Sequence, residues 1–272
     1  MKLGVSIRSM GPQATRETIA ACAQAAEAAG LDDLWLPDHI AIPPDDAEGS
    51  DGRYLDPLAT LAWLAALTSR IGLATGVLIL PYRPPLPTAK WLATVQELSG
   101  GRLKLGVGVG WMAAEFRALG VDRSQRGRLT DETLAFLHRC FAEDEVEANE
   151  QRFLFRPRPP RPPIYVGGAP PHALERTLRY GDGWMPMSAE PEKLAPDVRR
   201  LRELAEAASK PVPEVVALGG IPMDDPQRGA DHLAGLAEIG VTRFATGTRY
   251  TTCDEFRHGL DALVAVKEAL PS

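Results

Sequence analysis

The chain has 272 residues, of which 44% are hydrophobic and 24% are charged, a composition typical of a globular protein with a sizeable core. Its formal net charge of −6 argues against a nucleic-acid-binding surface, which would show as clustered excess Lys and Arg. We therefore expect chemistry on a small organic molecule, with no nucleic-acid partner.

Short apolar runs alternate with helical patterns from one end of the chain to the other. The predicted strands are residues 3–7, 33–37, 71–75, 102–111, 164–166, 184–187, 215–221 and 243–246. The predicted helices are residues 15–29, 57–68, 87–98, 113–119, 129–141, 172–180, 190–209, 229–239 and 253–270. After the third strand, residues 76–80 extend the apolar run as more strand, as a bulge or as the start of a Pro-rich loop.

One connection, between the fourth and fifth strands, is longer than the others. It contains two of the predicted helices, an acidic stretch over residues 143–147 and a small extra strand over residues 152–155. Residues 156–163 are rich in Pro, which fixes φ and biases the preceding residue away from helix, so an extended polyproline segment is predicted. We interpret this segment as a rigid lead-in to the fifth strand rather than as a ligand for an SH3-type domain.

The alternation of eight strands with helices, with no change in composition along the chain, predicts repeated parallel βαβ units. Right-handed crossovers repeated eight times close into a (β/α)8 barrel, also called a TIM barrel, as a single α/β domain over residues 1–272. An open doubly wound sheet is the alternative, but the number and even spacing of the strands favour closure. In such a barrel the carboxyl ends of the strands form the mouth that binds the ligand.

Glycine recurs where the predicted strands end, which favours a large flat ligand lying against the backbone over a metal held by side chains. Gly167-Gly168-Ala169 precedes a predicted helix, whose unpaired N–H groups and positive dipole end favour a phosphate. An alternative is that the two glycines only let the chain turn. The residues at the other predicted strand ends are Arg8, Ser9, Asp38, His39, Thr75, Gly76, Val77, residues 108–111, Met187, Ser188, Gly219, Gly220, Gly247, Thr248 and Arg249.

Motifs for metal ligation and for nucleophilic catalysis do not occur in the sequence. The 5 histidines are scattered, without HxH or HExxH spacing, and there is no GxSxG elbow. We therefore expect no metal, and redox chemistry from an organic cofactor becomes the favoured class.

The three cysteines, Cys22, Cys140 and Cys253, form no CxxC pair, so neither a disulfide framework nor a zinc ribbon is predicted. The amino-terminal residues lack the apolar run of a signal peptide, and no run reaches membrane-spanning length. We expect a cytoplasmic protein without membrane contact.

Several motifs occur together in one order along the chain. They are Asp38-His39, Thr75-Gly76-Val77, the glycine-rich residues 101–111 followed by Glu115-Phe116, and residues 164–169 leading to Gly-Asp-Gly-Trp at residues 181–184. Together they resemble the bacterial luciferase-like superfamily, which comprises flavin monooxygenases and coenzyme F420-dependent oxidoreductases.

The resemblance implies a barrel that binds F420 or FMN across its mouth, with F420 slightly favoured. It also implies a non-prolyl cis peptide bond at Gly76–Val77 that supports the cofactor ring, the alternative being an ordinary trans bulge. The phosphate is expected at Gly167, Gly168 and Ala169. The remaining implied cofactor contacts are Asp38, His39, Thr75, Gly76, Val77 and Gly108.

His39 is implied as the catalytic residue, near the reacting end of the ring, where an imidazole donates a hydrogen bond or a proton. The alternative is a structural histidine bonded to Asp38 or to a loop carbonyl. Tyr82 and Trp111 are expected to wall the substrate pocket, or otherwise simply to pack.

Two arginines, Arg83 and Arg249, are candidates for contact with an anionic substrate or the phosphate, with solvent exposure as the alternative. Glu115 is expected to pack or pair within its helix rather than to act in catalysis. Trp111 stands where sugar-phosphate dehydrogenases of the superfamily have a catalytic Glu, so that substrate class is not expected.

The main hypothesis is an oxidoreductase that transfers a hydride between F420 or FMN and a small organic substrate, or oxygenates the substrate with O2. Modest loops mildly favour hydride transfer. The resemblance also implies a homodimer, with the helices at residues 58–67 and 87–98 as candidate surfaces. The competing hypotheses are a non-catalytic flavin-binding protein and a metal-dependent barrel hydrolase.

Overall fold

The structure of the protein is a computed structural model that describes residues 1–247 and 249–270. Its strands form a closed barrel, which confirms the predicted fold. Thr248, predicted at the end of the eighth strand, and residues 271–272 of the predicted domain lie outside the described residues. The strands are β1 (Lys2–Ser6), β2 (Asp33–Leu36), β3 (Gly72–Ile79), β4 (Leu103–Gly108), β5 (Glu145–Ala148), β6 (Gln151–Leu154), β7 (Ile164–Gly167), β8 (Gly183–Met185), β9 (Glu214–Leu218) and β10 (Arg243–Gly247). Eight of them close in the order β1-β2-β3-β4-β7-β8-β9-β10, with β10 paired to β1.

The helices lie between these strands and cover the outside of the barrel. They are α1 (Arg16–Ala28), α2 (Pro57–Leu67), α3 (Pro85–Leu98), α4 (Ala113–Ala118), α5 (Arg126–Ala142), α6 (His172–Tyr180), α7 (Pro191–Ala207), α8 (Pro226–Ile239) and α9 (Cys253–Glu268). Within the described ranges no helix combines the length and the apolar character that crossing a membrane requires.

Hydrophobic side chains form two layers, because successive residues of a strand point to opposite faces. The outer layer joins strands and helices in one large cluster that includes Leu3, Val5 and Phe244. The smaller layer fills the barrel interior with Trp35, Ala74, Tyr165, Met185, Val216 and Ala245. In the part of the chain that the structure describes, side chains therefore fill the barrel interior, so a site is expected at one of its two rims.

A buried ion cluster closes the amino-terminal rim. Asp33, at the start of β2, contacts Lys104 at 2.9 Å and also pairs with Arg243 at the start of β10. A Cβ at Gly72 would come within 2.1 Å of the Asp33 carboxylate, so the cluster requires glycine at that position. The ion cluster fills this rim and stabilises the barrel, so the carboxyl-terminal rim is the expected location of the functional site.

The long connection contains an antiparallel hairpin of β5 and β6, of which the sequence predicted only the second strand. Acidic residues have low strand propensity, so the first strand was missed. Its pairing is supported by Arg152, which contacts both Glu145 and Glu147 across the hairpin. Five predicted barrel strands also end earlier than expected: β1 and β2 by one residue, β8 at Met185 by two, and β4 at Gly108 and β9 at Leu218 by three.

Candidate active site

A cavity of about 310 Å³ opens at the carboxyl ends of β2, β3, β4, β7 and β8. Predicted site residues make up most of its lining. The lining residues are Pro37, Asp38, His39, Gly76, Val77, Ile79, Tyr82, Gly108, Val109, Gly110, Trp111, Gly167, Gly168 and Met187. The topology thus brings together side chains and glycines that lie far apart in the sequence.

A bulge in β3 forms one wall of this cavity. The Gly76–Val77 peptide bond is cis, as the resemblance implied, and the pairing of β3 with β4 shifts register between Thr75 and Leu78. A Cβ added to Gly108 would lie 2.6 Å from a methyl group of Val77, and one added to Gly167 would lie 2.9 Å from the Val107 carbonyl oxygen. Glycine is therefore required where the neighbouring strands pass beneath the bulge.

Two predicted cofactor contacts, Thr75 and Ala169, are not part of the lining. Thr75 is fully buried, and its hydroxyl donates a hydrogen bond of 2.7 Å to the Gly106 carbonyl, so its side chain stabilises the β3–β4 pair. Ala169 is exposed on the loop that follows Gly168.

Both oxygens of the Asp38 carboxylate accept hydrogen bonds from other residues of the protein. Its two oxygens accept hydrogen bonds of 2.6 and 2.8 Å from Arg83, and one also accepts from the Ile79 backbone N–H at 2.8 Å. Arg83 pairs with Asp56 as well, at 2.9 Å. The expectation of simple exposure for Arg83 is therefore wrong, and the two carboxylates that neutralise it weigh against the other expectation, contact with an anionic substrate or the phosphate. The role of this network is to hold the β2 end against the β3 bulge.

His39 contacts the carboxylate of Glu115, a residue that the sequence analysis expected to pack or pair within its own helix. Its Nδ1 lies 2.8 Å from Oε2 of Glu115, and Glu115 is fully buried. The same carboxylate accepts hydrogen bonds from the backbone N–H groups of Ile40 at 2.6 Å and Ala41 at 3.0 Å, and from the Tyr82 hydroxyl at 2.9 Å. The expectation that Glu115 only packs or pairs within its helix is therefore wrong, and so is a bond from His39 to Asp38 or a loop carbonyl.

The charge state of Glu115 determines the tautomer of His39. Burial raises the pKa of Glu115, but the hydrogen bonds from Ala41, Ile40, His39 and Tyr82 outweigh burial and hold it below its ordinary value. An ionised carboxylate only accepts hydrogen bonds, so Nδ1 carries the proton and donates it. Nε2 is then left for the cavity.

Two aromatic rings flank the imidazole. The His39 ring centroid lies 4.9 Å from that of Tyr54 and 6.3 Å from that of Trp111, both in edge-on geometry. Trp111 is 64% exposed, so one of its faces borders solvent at the cavity entrance. Tyr54 was missed because it follows no predicted strand; Glu115 was visible only as part of the Glu115-Phe116 motif.

The Gly167-Gly168 turn leads into α6 as predicted. Gly168 has φ +122°, a value that favours glycine, and its carbonyl accepts a 2.9 Å hydrogen bond from the Trp184 indole. The N-cap residue of α6, Pro171, makes no side-chain capping bond. The turn is thus fixed by Trp184 while no side chain caps the helix terminus.

A wider cavity, of about 640 Å³, adjoins the first at Val109 and borders the start of α6. It combines positive and negative side chains. The charged and ionisable residues that line it are Arg126, Arg128, Asp131, Glu132, His172, Arg176 and Tyr180. Asp131 holds Arg176 at 2.6 Å and Glu132 pairs with Arg128, whereas Arg126 makes a hydrogen bond only to a backbone carbonyl.

Comparison with proteins of known sequence identifies relatives over most of the chain. A protein of uncharacterised function from Mycobacterium tuberculosis is 33% identical over 248 residues, which cover 84% of this chain and 83% of that protein. The F420-dependent hydroxymycolic acid dehydrogenase of the same organism is 32% identical over 197 residues, covering 67% of this chain and 52% of the dehydrogenase.

Solved structures share the fold. A monooxygenase from Streptomyces bottropensis superposes with a TM-score of 0.79 at 21% identity, covering 97% of this chain and 98% of that one. An F420-dependent secondary alcohol dehydrogenase superposes with a TM-score of 0.77 at 17% identity, covering 100% and 99%. The family model described as luciferase-like monooxygenase matches residues 1–267. The chain belongs to the luciferase-like monooxygenase family.

Proposed function

We propose that the protein is an oxidoreductase that transfers a hydride between bound F420 or FMN and a small organic substrate. One observation carries this proposal: the mouth cavity combines glycine-rich strand ends with a histidine whose tautomer is fixed by a buried carboxylate. The geometry supports His39 as the catalytic residue and Glu115 as the residue that positions it.

The cavity has the features that a flat ring requires. Gly108 and Gly167 have no space for a Cβ, and Val77 lies against them, so the ligand meets backbone and a small apolar surface. At one end, Gly168 and the start of α6 suit a phosphate, with Arg126 of the adjoining cavity adding positive charge. In this proposal Gly76–Val77 would support the ring of F420 or FMN, and Gly168 would hold its phosphate.

The cofactor, when bound and reduced, supplies the hydride; the residues of the chain bind, orient and protonate the substrate. His39, with Nδ1 held by Glu115, presents Nε2 to the cavity, where the protonated imidazole donates a proton or hydrogen bond to a substrate oxygen. Trp111 and Met187, 64% and 66% exposed, border the entrance and are placed to cover a bound substrate and reduce its contact with water.

F420 is favoured slightly over FMN. A characterised relative that covers 67% of this chain is named as F420-dependent. The loops between Trp111 and α5 are short, which favours hydride transfer over oxygenation with O2. Oxygenation is the second candidate reaction, since the family model is described by that activity.

We also propose a homodimer formed through α2 and α3. Two large apolar side chains of α3, Trp91 and Leu98, are 47% and 65% exposed, and burying them offers a hydrophobic contribution to association. Sedimentation of the wild type and of a Trp91→Glu variant tests this, with a shift to monomer as the expected result.

The test of the cofactor proposal is a titration of the purified protein with FMN and with F420, oxidised and reduced, followed by fluorescence quenching. Gly168 is a poor position for a variant because its φ is strained for any other residue. Ala169 is exposed, so Ala169→Asp and Ala169→Asn compare a charged with a neutral side chain of equal size. We expect micromolar binding of one cofactor, weakened about tenfold by Asp and little by Asn. Binding of neither cofactor would refute the proposal.

A further inference from the structure

A second cavity lies in the part of the barrel mouth formed by the ends of β1 and β10. Its volume is about 320 Å³, and it is lined by Ser6, Arg8, Met10, Gly247 and Arg249. Two of these residues lie at strand ends: Ser6 is the last residue of β1 and Gly247 the last residue of β10. Arg8 and Met10 lie on the loop that follows β1, and Arg249 follows β10. The cavity is therefore an extension of the mouth.

Arg8 is held in place by neutral groups. Its guanidinium donates to the backbone carbonyls of Tyr250 at 3.1 Å and Gly49 at 3.3 Å, and its backbone N–H donates to the Tyr250 hydroxyl at 2.9 Å. Its Nε is buried and has no hydrogen-bond partner. In the described part of the chain no carboxylate lies within ion-pair distance of Arg8. The guanidinium is thus oriented in advance while its charge is not neutralised.

Two other arginines near the mouth differ from Arg8 in this respect, whereas Arg126 hydrogen-bonds only to a backbone carbonyl, as described above. Arg83 is neutralised by Asp38 and Asp56, and Arg176 by Asp131. The β1–β10 cavity, in contrast, has two arginines and no acidic residue in its lining. Arg249 is exposed, so its side chain is free to approach a ligand. A partly desolvated positive charge without a counter-ion favours an anion in the cavity.

This cavity is connected to His39 through a short chain of contacts. Met10, one of its lining residues, forms a backbone bridge with Tyr54, and the Tyr54 ring lies 4.9 Å from the His39 ring. The β1–β10 cavity and His39 are therefore both in contact with the segment that contains Tyr54. The cavity that His39 lines also contains two exposed apolar side chains, Trp111 and Met187, at 64% and 66% exposure.

We propose that Arg8 and Arg249 bind a carboxylate of the substrate, and that the substrate is an organic acid whose apolar body crosses the mouth to Trp111 and Met187. The inference rests on the proposed function, because it places the reacting carbon near His39. Arg8 supplies the oriented donors, Ser6 a neutral hydroxyl, and Arg249 closes over the carboxylate from the solvent side.

The test compares 4-phenylbutyrate with its neutral amide, which has the same shape, by calorimetric titration with and without saturating cofactor. We expect the carboxylate to bind at least tenfold more tightly than the amide. Arg249→Gln is expected to remove most of this preference without changing the affinity for the amide, and Arg249→Lys to retain part of it. Arg200→Gln, an exposed arginine on α7 paired with Glu203, serves as the matched control and should change neither affinity.

Equal affinities for acid and amide, no binding of the acid at millimolar concentration, or a preference that survives Arg249→Gln would each overturn this inference. Arg249 makes no side-chain hydrogen bond within residues 1–247 and 249–270, so its variants should fold normally, and circular dichroism checks this. A protein that prefers the acid but binds neither FMN nor F420 would support the anion subsite and refute the cofactor proposal. A protein that binds a cofactor without preferring the acid would support the cofactor proposal and refute the anion subsite.

Discussion

Nδ1 of His39 and Oε2 of Glu115 lie 2.8 Å apart, although the two residues are separated by 76 positions in the sequence. Glu115 has four hydrogen-bond donors around it, two from the backbone of the segment that follows His39. The carboxylate therefore fixes both the loop and the ring. This arrangement matches the general pattern in which a catalytic imidazole is oriented by a further group behind it.

Glu115→Gln tests whether that orientation contributes to catalysis. The amide oxygen can accept from Ile40 and Ala41, which leaves the amide NH2 toward His39 Nδ1 and favours the opposite tautomer, with the proton on Nε2. We expect kcat to fall about 100-fold, within the range for general acid–base catalysis, with KM changed much less. Nitrogen NMR of the imidazole should show protonation moving from Nδ1 to Nε2.

Glu132→Gln is the matched control, because Glu132 is an exposed helical carboxylate that pairs with an arginine. It should change neither kcat nor the His39 spectrum. An active Glu115→Gln protein that retains the Nδ1–H tautomer would show that Glu115 has only a structural role.

Glu115 should also contribute a pH-dependent part of the stability. Its folded-state pKa lies below its ordinary value of 4.5, so the native state favours the ionised form. The contribution is present above pH 4.5 and is lost as the pH falls through the folded-state pKa. Denaturant unfolding at pH 7 should show Glu115→Gln less stable than the wild type by about 2 kcal/mol, the cost of disturbing a buried hydrogen-bond network. The difference should shrink below pH 4.5; a constant difference would contradict the assignment.

The sequence predicted the barrel because strand and helix periodicities alternate along the whole chain. It also predicted most of the mouth, since parallel strands bring their carboxyl ends to one rim, and residues such as His39, Gly108 and Gly168 directly follow apolar runs. What the sequence could not predict was which side chains meet once the strands are in place.

Glu115 and Arg83 illustrate that limit. Both lie outside the strands, and their partners, His39 and Asp38, are far away in the sequence. A helical carboxylate and a loop arginine are usually solvent-exposed, so residue type alone indicated the wrong environment for each. Tyr54 is a similar case: its contact with His39 depends on a loop whose path has no periodic signal.

Gly108→Ala tests whether the cofactor ring lies against the β3 bulge that forms one wall of the cavity. The added Cβ would lie 2.6 Å from Val77, so the bulge must shift. We expect a loss of stability of about 1–3 kcal/mol, typical of overpacking, and a larger than tenfold loss of cofactor affinity. Gly220→Ala is the control, since a Cβ there has open space. Unchanged cofactor affinity in Gly108→Ala would show that the ring does not lie against the bulge.

Arg243→Met tests whether the amino-terminal rim serves structure alone. Removing one partner leaves the buried Asp33 carboxylate with Lys104 only, and breaking a buried ion pair in this way costs about 3–5 kcal/mol. Activity per folded molecule should not change, because the cluster lies at the end of the barrel opposite His39. Arg257→Met removes an exposed pair with Asp254 and should cost less than about 1 kcal/mol. Lost activity in folded Arg243→Met protein would contradict the conclusion that the amino-terminal rim serves structure alone.

The three free cysteines should react with thiol reagents at very different rates. Burial raises the pKa of Cys22 to about 12 and that of Cys140 to about 11, and both side chains are buried. At pH 8 their thiolate fractions are therefore only about 10⁻⁴ and 10⁻³, and the thiolate is the reactive form. Cys253, half-buried at the start of α9, should be the single thiol that reacts quickly in the native protein.

A chromogenic disulfide reagent measures this directly: one thiol per chain should react in the native state and three after denaturation. Cys253→Ser should remove the fast phase and leave the slow one unchanged. Cys22 Sγ lies only 3.9 Å from Cys253 Sγ, at the contact between α1 and α9, so its protection depends on that contact staying closed. Two fast thiols in the native protein would show that the two helices separate in solution, and would contradict the packing described above.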